Sequence, residues 1–421
     1  MSKVVSLIIA GAGDRGGNYI RIAEKYPDRV RIAAIAEPRD YYRNTLGDRY
    51  QVPPDRRFRG WEEAAQLPKF ADAVIIATPD DLHEAPAIAF AGKGYHLLLE
   101  KPLAPTEEAC RRIAEAVRKA GVMFAVCHEL RYTCHTQTIK KLLEDGTIGD
   151  LMSVEHLEPV GYWHQAHSFV RGNWRNEKES CFMLLAKCCH DLDWLRYVIG
   201  VPCRKVQSFG SLKHFRKEKR PAGAAARCSD CPENIEKNCP YSAIKIYLRD
   251  RAEKGHFEWP LNVLTSDATC AGIRKALETG PYGRCVYACD NDVVDHQVVN
   301  LLFDNDCTVS MTMTAFVPIA DRKTRLFGTR GCIETDSRIV KVHDFLTDQT
   351  REINTENIVD DGILASHCGA DLAMMEAFVK ALETGDRSCI LSGVDDSLES
   401  HLMVFATERS RKKGSVEPVE L

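Results

Sequence analysis

The sequence has no long hydrophobic run. No apolar stretch approaches the roughly eighteen residues that a bilayer-spanning helix needs. The amino-terminal run VVSLIIA is short and leads directly into a glycine loop. Neither a membrane-spanning segment nor a secretory signal is therefore expected, and we expect a cytoplasmic protein.

The chain also lacks a strong excess of charge of either sign. Its 56 basic and 60 acidic residues give a formal net charge of −4 over 421 residues. Such a balance provides no broad field that would attract nucleic acid or an anionic membrane surface. We therefore expect a small-molecule partner, with no nucleic acid and no membrane. A chain of this length exceeds the size at which a single core stops growing, so we expect two domains.

Apolar segments in the first 130 residues predict a parallel sheet. Five short runs rich in leucine or β-branched residues alternate with segments of helical periodicity. The runs are 4–10, 32–36, 73–78, 97–99 and 123–127. Continuous apolar strands that alternate with helices are typical of a doubly wound parallel sheet, which is covered on both faces.

The first turn of this sheet carries the sequence IIAGAGDRGGNYI. Gly11, Gly13 and Gly16 have the spacing G-x-G-x-x-G directly after a strand and before a helix. The first glycine permits a tight turn, the second lets the backbone approach a pyrophosphate, and the third allows close packing of helix and strand. The loop therefore predicts a dinucleotide site, to which we also assign Asp14 and Arg15.

A carboxylate after the second strand bears on the choice of dinucleotide. Glu37 follows RIAAIA at about the distance at which an acidic residue binds the adenosine ribose hydroxyls. A carboxylate about 4 Å from a 2′-phosphate would cost about 4 kcal/mol at an effective dielectric near 20. NAD is therefore favoured over NADP. NADP is the alternative, because Arg39 could turn to accept the phosphate.

Two further polar segments lie at the carboxyl ends of predicted strands, where ligands bind in open parallel sheets. One is ATPDDLH at 77–83, which contains Thr78, Pro79 and His83. The other is LLLEKPLAPT at 97–106, in which an apolar strand ends abruptly in Glu100 and Lys101. We expect both segments to contact the cofactor.

The glycine loop followed about ninety residues later by E-K-P resembles the glucose-fructose oxidoreductase and inositol dehydrogenase family, often called Gfo/Idh/MocA. TPDDLH before a helix and LEDGTIGDLMSVE after it are similar to that family too. The resemblance implies an NAD(P)-dependent oxidoreductase that acts on sugars, cyclitols or related polyols. It implies a Rossmann domain at 1–130, followed at 131–421 by an α+β domain with an open, mostly antiparallel sheet. We expect a homo-oligomer.

The same resemblance implies that Lys101 is the active-site lysine and that LLAKCCHDLDWLRYVIG supplies the other half of the site. His190 and Asp193 lie three residues apart and thus on one face of a helix. Family members commonly carry D-x-G-x-H-x-x-D here, and these two residues match. Ala186 stands where the first acid would be, and Lys187 follows it. Either Lys187 takes over as a cation or proton carrier, or the chemistry differs from that of the inositol enzyme.

Polar and aromatic side chains are dense between residues 161 and 180 and show little apolar periodicity. This pattern predicts a loop over a polar ligand. Near residue 295 a later predicted strand is also interrupted by polar side chains. We assign to substrate binding His164, His167, Arg171, Trp174, Arg175 and His296.

The chain contains 17 cysteines, which we expect to be reduced. Cys228, Cys231 and Cys239 give the pattern C-x2-C-x7-C inside a predicted insertion near 211–260. A CxxC pair is the usual start of a zinc site. No fourth ligand is evident, however, and packed, reduced thiols are favoured, so we assign no metal.

The favoured reaction is hydride transfer from a hydroxyl-bearing carbon to nicotinamide. Lys101 would stabilise the alkoxide, and would also act as the base if burial lowered its pKa. His190 would accept or relay the proton. Two alternatives stay open: a redox-assisted glycosidase, which needs the same cofactor site, and a non-catalytic dinucleotide or sugar sensor. A sensor would have no need of Lys101 and His190.

Overall fold

The computed structural model describes residues 4–356 and 369–421, and the first of its two sheets is parallel throughout. Its strands are β1 (Val5–Ala10), β2 (Val30–Ala36), β3 (Arg57–Phe58), β4 (Ala73–Ile76), β5 (His96–Leu99) and β6 (Phe124–Val126). They pair in the order β3-β2-β1-β4-β5-β6. This is the order of the dinucleotide-binding Rossmann fold, and it confirms the predicted doubly wound domain.

Helices cover both faces of this sheet, so the strands are buried. The helices are α1 (Asp14–Tyr19), α2 (Ile22–Lys25), α3 (Asp40–Arg49), α4 (Trp61–Gln66), α5 (Glu84–Gly92) and α6 (Glu107–Ala120). All six residues of β1 and all four of β4 are buried. The continuous apolar runs in the sequence reflect this burial on two faces.

The second sheet is mostly antiparallel. Its strands are β7 (Leu151–Pro159), β8 (Cys203–Ser211), β9 (His296–Phe303), β10 (Thr308–Thr314), β11 (Lys323–Gly328), β12 (Gly331–Thr335), β13 (Ile339–Asp344), β14 (Gln349–Asn354) and β15 (Glu417–Pro418). They pair in the order β14-β13-β12-β11-β7-β10-β9-β8-β15. Only the β7–β10 pair is parallel within the described residues. The predicted α+β second domain is confirmed.

The helices of this part are α7 (Cys134–Glu144), α8 (Tyr162–His164), α9 (Met183–Ala186), α10 (Cys189–Ile199), α11 (Glu233–Glu236) and α12 (Cys270–Thr279). Helix α8 continues as a π-helix over Gln165–Arg171. The loop predicted for residues 161–180 is therefore wrong over its first half. Polar side chains such as His167 and Arg171 are buried there with hydrogen-bond partners, so they interrupt the apolar pattern by which a helix is recognised.

The carboxyl-terminal helices return to the first domain. They are α13 (Ala370–Thr384) and α14 (Val394–Lys413). Met375 and Phe378 of α13 share one buried cluster with β1 residues such as Leu7 and Ile9. By packing, α13 therefore belongs with the Rossmann domain, although it follows the second domain in sequence. The division at residue 130 stays a prediction.

The segment between β8 and β9 forms its own layer. Residues 212–295 contain helices but no strand of either sheet. Most of their buried apolar residues belong to two small clusters, one of which also includes Ala166, Val170 and Ala315. The insertion predicted near 211–260 overlaps this segment, and its bounds stay a prediction. Among the described residues, no helix is both long enough and apolar enough to cross a membrane.

Replacing Phe378 with alanine tests the packing of α13 on the first domain. The side chain is 1% exposed, so its truncation should lower the free energy of unfolding by about 3–5 kcal/mol. Lys380→Ala changes an exposed residue of the same helix and should stay within about 0.5 kcal/mol of wild type. Urea unfolding followed by far-UV circular dichroism provides the measurement. Equal stability of the two variants would contradict this packing.

Candidate active site

The glycine loop after β1 lies so close to neighbouring backbone at Gly11 and Gly16 that neither position can hold a side chain. Gly11 has a φ of +87°, and a Cβ there would lie 2.4 Å from the carbonyl oxygen of Ala77. A Cβ on Gly16 would lie 2.0 Å from the carbonyl oxygen of Gly11. Gly13 has more space, since its Cβ would meet only the Arg39 guanidinium at 3.3 Å. The loop is therefore packed on its inner side and open at Gly13, which fits a pyrophosphate bound against its backbone.

Glu37 lies next to this loop, and its carboxylate is hydrogen-bonded to protein donors. Its side chain accepts hydrogen bonds from the Ala12 amide at 2.9 Å and from the Arg39 amide and Nε at 3.0 and 2.7 Å. Burial alone would raise the pKa of Glu37, but the hydrogen bonds from Arg39 and Ala12 outweigh it and lower the pKa. The carboxylate is ionised and paired with Arg39. Its repulsion toward a 2′-phosphate is consequently weaker than the sequence argument assumed.

His83 joins the two polar segments at the sheet edge. The ring is fully buried, with Nδ1 2.8 Å from the Pro102 carbonyl oxygen and Nε2 3.0 Å from the Thr78 carbonyl oxygen. Both ring nitrogens are thus occupied by backbone. The ring thereby joins the segments that contain Thr78 and Pro102. The contact of His83 with the cofactor stays a prediction.

Lys101 extends from the end of β5 to the second domain. Its Nζ donates a hydrogen bond to the Ala186 carbonyl oxygen at the end of α9, at 2.9 Å. The preceding Glu100 accepts hydrogen bonds from Arg15 Nε at 2.9 Å and from the Tyr19 hydroxyl at 2.7 Å. Glu100 and Arg15 therefore fix the E-K-P turn against the helix that follows the glycine loop.

The protonation state of Lys101 follows from its neighbours. Burial alone would lower the pKa of Lys101, but the acidic groups around it outweigh burial and raise the pKa. These groups are Cys189, Glu100, Asp80 and Glu129. Lys101 is therefore an ammonium ion at neutral pH. A pKa lowered by burial is the condition for a role as general base, and this condition is not met. The role of a fixed cation stays the prediction for Lys101.

His190 and Glu129 face each other across the domain boundary. His190 of α10 is 8% exposed, and its Nε2 lies 3.5 Å from Glu129 Oε1. Glu129 is buried and is also one of the groups that raise the pKa of Lys101. It therefore connects the two predicted catalytic residues electrostatically. The sequence analysis missed Glu129, although its segment CHELRY follows the carboxyl end of β6.

Asp193 holds α10 in place. Its carboxylate accepts two hydrogen bonds from Arg131, from Nε at 2.8 Å and from Nη2 at 2.7 Å. Burial alone would raise the pKa of Asp193, but the charge of Arg131 outweighs it and lowers the pKa. This buried ion pair fixes the orientation of the helix that carries His190.

A cavity of about 720 Å³ lies beside these residues, within the usual size of small-molecule sites. Both domains contribute to its lining. Its polar and aromatic side chains include Asp14, Arg15, His135, His156, Glu158, His164, Lys187, Trp194, Trp259, Asp321, Arg322, Arg338 and Glu356. Of the predicted catalytic residues Lys187 lines it directly, and Lys101 contacts the residue before Lys187.

Lys187 belongs to a network of paired charges on the cavity wall. Its Nζ lies 3.3 Å from Glu158 Oε1, and Arg322 Nε lies 3.0 Å from Glu158 Oε2 and 2.6 Å from Asp191 Oδ1. The carboxylates of Glu158 and Asp191 are 4% and 0% exposed, whereas the side chains of Lys187 and Arg322 are 23% and 20% exposed. The wall therefore presents N–H donors to the cavity, with the balancing carboxylates behind them.

Trp259 of the insertion closes one side of the cavity. It is 38% exposed, and its ring centroid lies 5.2 Å from that of His164 and 5.4 Å from that of Trp163. Nearby, Asn262 Nδ2 donates a hydrogen bond to Asp14 of the glycine loop at 3.3 Å. Burial lowers the pKa of His164 well below its ordinary value, and Lys187 adds to the effect, so His164 is neutral. The insertion thus forms part of the site.

His167 and Arg171 lie behind the cavity instead of in it. His167 is 2% exposed, stacks on Tyr282 at 4.7 Å and forms a hydrogen bond with the Tyr247 hydroxyl at 2.9 Å. Arg171 is 1% exposed and donates to the Tyr241 carbonyl oxygen at 2.7 Å. Both side chains instead contact residues 241–284, and neither lines the cavity. Their contact with substrate stays a prediction without support from this geometry.

The remaining predicted substrate residues also lie outside the cavity lining. Trp174 Nε1 donates to Asp80 Oδ2 at 3.0 Å, which ties the second domain to the TPDD segment. Arg175 pairs with Asp290 at 3.0 Å. His296 begins β9 with Nδ1 2.8 Å from the carboxylate of its neighbour Asp295. Of the six predicted substrate residues, His164 alone is among those that line the described cavity.

The three cysteines of the C-x2-C-x7-C pattern do not form a metal site in the structure. Among residues 4–356 and 369–421, no group of three or more His, Cys, Asp or Glu side chains is arranged to hold a metal ion. Cys228 is buried, and Cys231 and Cys239 are partly exposed; all three thiols are free.

Comparisons with known proteins agree with this architecture. Residues 5–128 match the family model described as "Oxidoreductase family, NAD-binding Rossmann fold", and residues 140–421 match "Oxidoreductase family, C-terminal alpha/beta domain". A levoglucosan dehydrogenase in complex with NADH superposes with a TM-score of 0.72, covering 99% of this chain and 100% of that one, at 18% identity.

Curated relatives match parts of the chain. The 2,7-anhydro-N-acetylneuraminate hydratase of Escherichia coli is 32% identical over 147 residues, which cover 35% of this chain and 38% of that protein. The inositol 2-dehydrogenase of Streptomyces avermitilis is 30% identical over 202 residues, which cover 48% of this chain and 54% of that protein. The matches thus span about two fifths to one half of these relatives. The two family models together cover nearly the whole chain, and the protein belongs to the Gfo/Idh/MocA oxidoreductase family.

Proposed function

We propose that the protein is an NAD-dependent oxidoreductase that transfers a hydride between a hydroxyl-bearing carbon of a cyclic sugar or cyclitol and nicotinamide. The observation that carries this proposal is the position of Lys101. The buried Lys101 ammonium, at the carboxyl edge of the Rossmann sheet, donates a hydrogen bond to Ala186 of the second domain. Glu129 interacts electrostatically with both Lys101 and His190. A cation and a proton acceptor thus lie together where a substrate hydroxyl would approach the cofactor.

The chain's own residues supply binding, orientation and proton transfer. The glycine loop would hold the pyrophosphate of NAD, and Glu37 would hold its adenosine ribose. The bound cofactor would supply the hydride acceptor. His190 removes the hydroxyl proton, and Glu129 at 3.5 Å orients its ring. The ammonium of Lys101 stabilises the alkoxide that develops as the proton leaves. Lys187 and Arg322 donate hydrogen bonds to the other substrate hydroxyls from the cavity wall.

The cavity favours a ring over an open-chain polyol. Trp259 lines the cavity and is 38% exposed, while Lys187, Arg322 and Glu158 place donors and acceptors in the same lining. An aromatic face buries the apolar C–H face of a sugar ring, and the polar groups pair with its hydroxyls. The sugar and cyclitol dehydrogenases among the relatives support this substrate class.

A second candidate is a redox-assisted elimination or hydration, in which a ring hydroxyl is oxidised transiently and the cofactor is regenerated. The hydratases among the relatives favour it. Net NADH formation separates the two reactions. A dehydrogenase accumulates one NADH for each product, whereas the second reaction releases product without net NADH. A homo-oligomer, a cytoplasmic location and the absence of a nucleic-acid partner stay predictions.

Lys101→Ala and His190→Ala should slow hydride transfer strongly but should leave cofactor binding nearly unchanged, because the glycine loop and Glu37 bind the dinucleotide. NAD affinity should stay within a few-fold of wild type, while single-turnover reduction of NAD by a substrate found in a sugar panel should fall on the order of 100-fold or more. Lys119→Ala, at an exposed position of α6, serves as the control and should match wild type.

The pH profile separates the roles of the two residues. Because the pKa of Lys101 is raised, Lys101 should add no limb to kcat/KM between pH 6 and 9. If His190 is the base, the acid limb of the wild-type profile should disappear in His190→Ala. An acid limb that persists in this variant would show that the proton goes elsewhere, and Lys187 would be the next residue to replace.

Glu37 and Arg39 should set the cofactor preference. NAD should bind more tightly than NADP to the wild-type protein, and Glu37→Gln should narrow the difference by about tenfold, because it removes the repulsion toward a 2′-phosphate. Gln preserves an acceptor for the Ala12 amide. Arg39→Ala should weaken NADP binding relative to the wild-type protein. Fluorescence titration of both cofactors checks these outcomes, and equal or tighter NADP binding to wild type would overturn the preference.

Trp259 should contribute to KM more than to kcat. Trp259→Ala should raise the KM of a cyclic substrate about tenfold with kcat within about threefold, whereas Trp259→Phe, which retains an aromatic face, should stay close to wild type. An open-chain polyol accepted by the enzyme should be insensitive to both changes. Equal effects on cyclic and open-chain substrates would argue against stacking on Trp259.

A further inference from the structure

The charges that line the cavity of the candidate active site balance one another. The cationic side chains of the lining are Arg15, Lys187, Arg322 and Arg338, and the acidic ones are Asp14, Glu158, Asp321 and Glu356. Two of its histidines are neutral, because burial lowers the pKa of His135 to about 4 and that of His164 well below its ordinary value. A ligand that enters therefore meets a polar wall with no excess of positive charge among the described residues.

Two of these cations pair with carboxylates of their own. Arg15 lies 2.7 Å from a carboxylate oxygen of the buried Asp371, and its Nε also contacts Glu100 at 2.9 Å. Arg338 Nε lies 2.9 Å from Asp321 Oδ2. The charge of each arginine is thus compensated before any ligand binds.

Glu158 compensates the other two cations. Its Oε1 lies 3.3 Å from Lys187 Nζ, and its Oε2 lies 3.0 Å from Arg322 Nε. Arg322 has Asp191 as a second partner, at 2.6 Å, and His156 contacts that same carboxylate at 3.0 Å. In the described part of the chain, Glu158 is the one carboxylate that forms an ion pair with Lys187. Removal of its charge would therefore leave Lys187 uncompensated.

The ion pair between Lys187 and Glu158 leaves room for a hydroxyl. Its separation of 3.3 Å exceeds the roughly 2.7–2.9 Å of a strong hydrogen bond between an ammonium and a carboxylate. Both side chains line the cavity. A hydroxyl carries one donor and two acceptor lone pairs, so a single substrate hydroxyl can donate to Glu158 and accept from Lys187.

An acidic group would gain little at the same place. A substrate carboxylate next to Lys187 would also lie close to Glu158, so that attraction and repulsion oppose each other. It would lose its hydration in the cavity as well, and only an uncompensated cation would offset that loss. The wall thus favours a group that can donate a hydrogen bond over a group that can only accept one.

This selection acts beside the reacting centre. Lys101 Nζ donates to the Ala186 carbonyl oxygen at 2.9 Å, and Lys187 is the next residue in the chain. A hydroxyl bound between Lys187 and Glu158 would therefore lie near the hydroxyl that Lys101 stabilises.

We propose that the substrate is an uncharged sugar or cyclitol and that Glu158 determines this selectivity. Its carboxylate accepts a hydrogen bond from a substrate hydroxyl, and it cancels the charge of Lys187 that would otherwise bind an acid. Sugar acids and sugar phosphates are thereby excluded. This inference rests on the proposed function, because it concerns the substrate of the same site.

Binding of matched ligands tests the selectivity without turnover. The full-length protein with NAD is titrated by calorimetry with neutral sugars and with the uronic acid that corresponds to each. The neutral sugar that binds best should bind on the order of 100-fold more tightly than its acid. Equal or tighter binding of the acid would overturn the inference and leave the proposed hydride transfer intact. Binding of neutral sugars without any reduction of NAD would contradict the proposed function and support the selectivity.

Glu158→Gln should create the anion site that the wild-type protein lacks, because it preserves the shape of the side chain and removes its charge. The affinity ratio should narrow by about tenfold or more, and inorganic phosphate should compete with sugar in this variant but not in wild type. An unchanged ratio would overturn the role of Glu158. If Glu158→Gln does not fold, the wild-type ratio decides.

Glu155→Gln provides the matched control. It makes the same change in the same strand, β7, but successive side chains of a strand point to opposite faces. The Glu155 side chain is 58% exposed and pairs with Arg325. This variant should keep the wild-type affinity ratio, and a shift equal to that of Glu158→Gln would overturn the assignment to Glu158.

Discussion

The hydrogen bond from Lys101 to the Ala186 carbonyl oxygen joins the two domains at the point where chemistry is proposed. This hydrogen bond requires a lysine at the end of β5 and a turn fixed by Glu100 and Arg15. It also requires that the end of α9 lies within hydrogen-bond distance of the lysine. His401 of α14 also supports the E-K-P turn, because its Nε2 accepts a hydrogen bond from the Leu103 amide at 2.8 Å. Distant segments of the chain therefore determine the position of one ammonium group.

Charge balance explains how this site differs from the family pattern. The acid that the family commonly places on the helix before the histidine is replaced by Ala186, and Lys187 follows. In the structure a carboxylate from another element, Glu158 of β7, pairs with both Lys187 and Arg322. The same wall therefore contains an acid and two cations. Such a wall suits a substrate bound through many hydroxyls.

The parts of the site that depend on local sequence were predictable, and the parts that depend on folding were not. The glycine loop, Glu37 and E-K-P each follow one strand directly, so their positions at the sheet edge follow from the parallel order. Glu158 lies in β7 and Arg322 directly before β11, more than 150 residues later, and their pairing depends on the register of these two strands. Buried polar residues such as His167 resembled ligand contacts because their partners, here Tyr247, are distant in sequence.

The proposed chemistry requires that Lys101 acts as a permanent cation and not as a base. Its titration can be observed directly by NMR of protein carrying 13C at the lysine Cε, with Lys101→Met used to assign the signal. Because acidic neighbours raise the pKa of Lys101, this signal should show no titration between pH 6 and 9, with NAD bound or absent. A titration with a midpoint below pH 8 would contradict this role and would restore Lys101 as the candidate base.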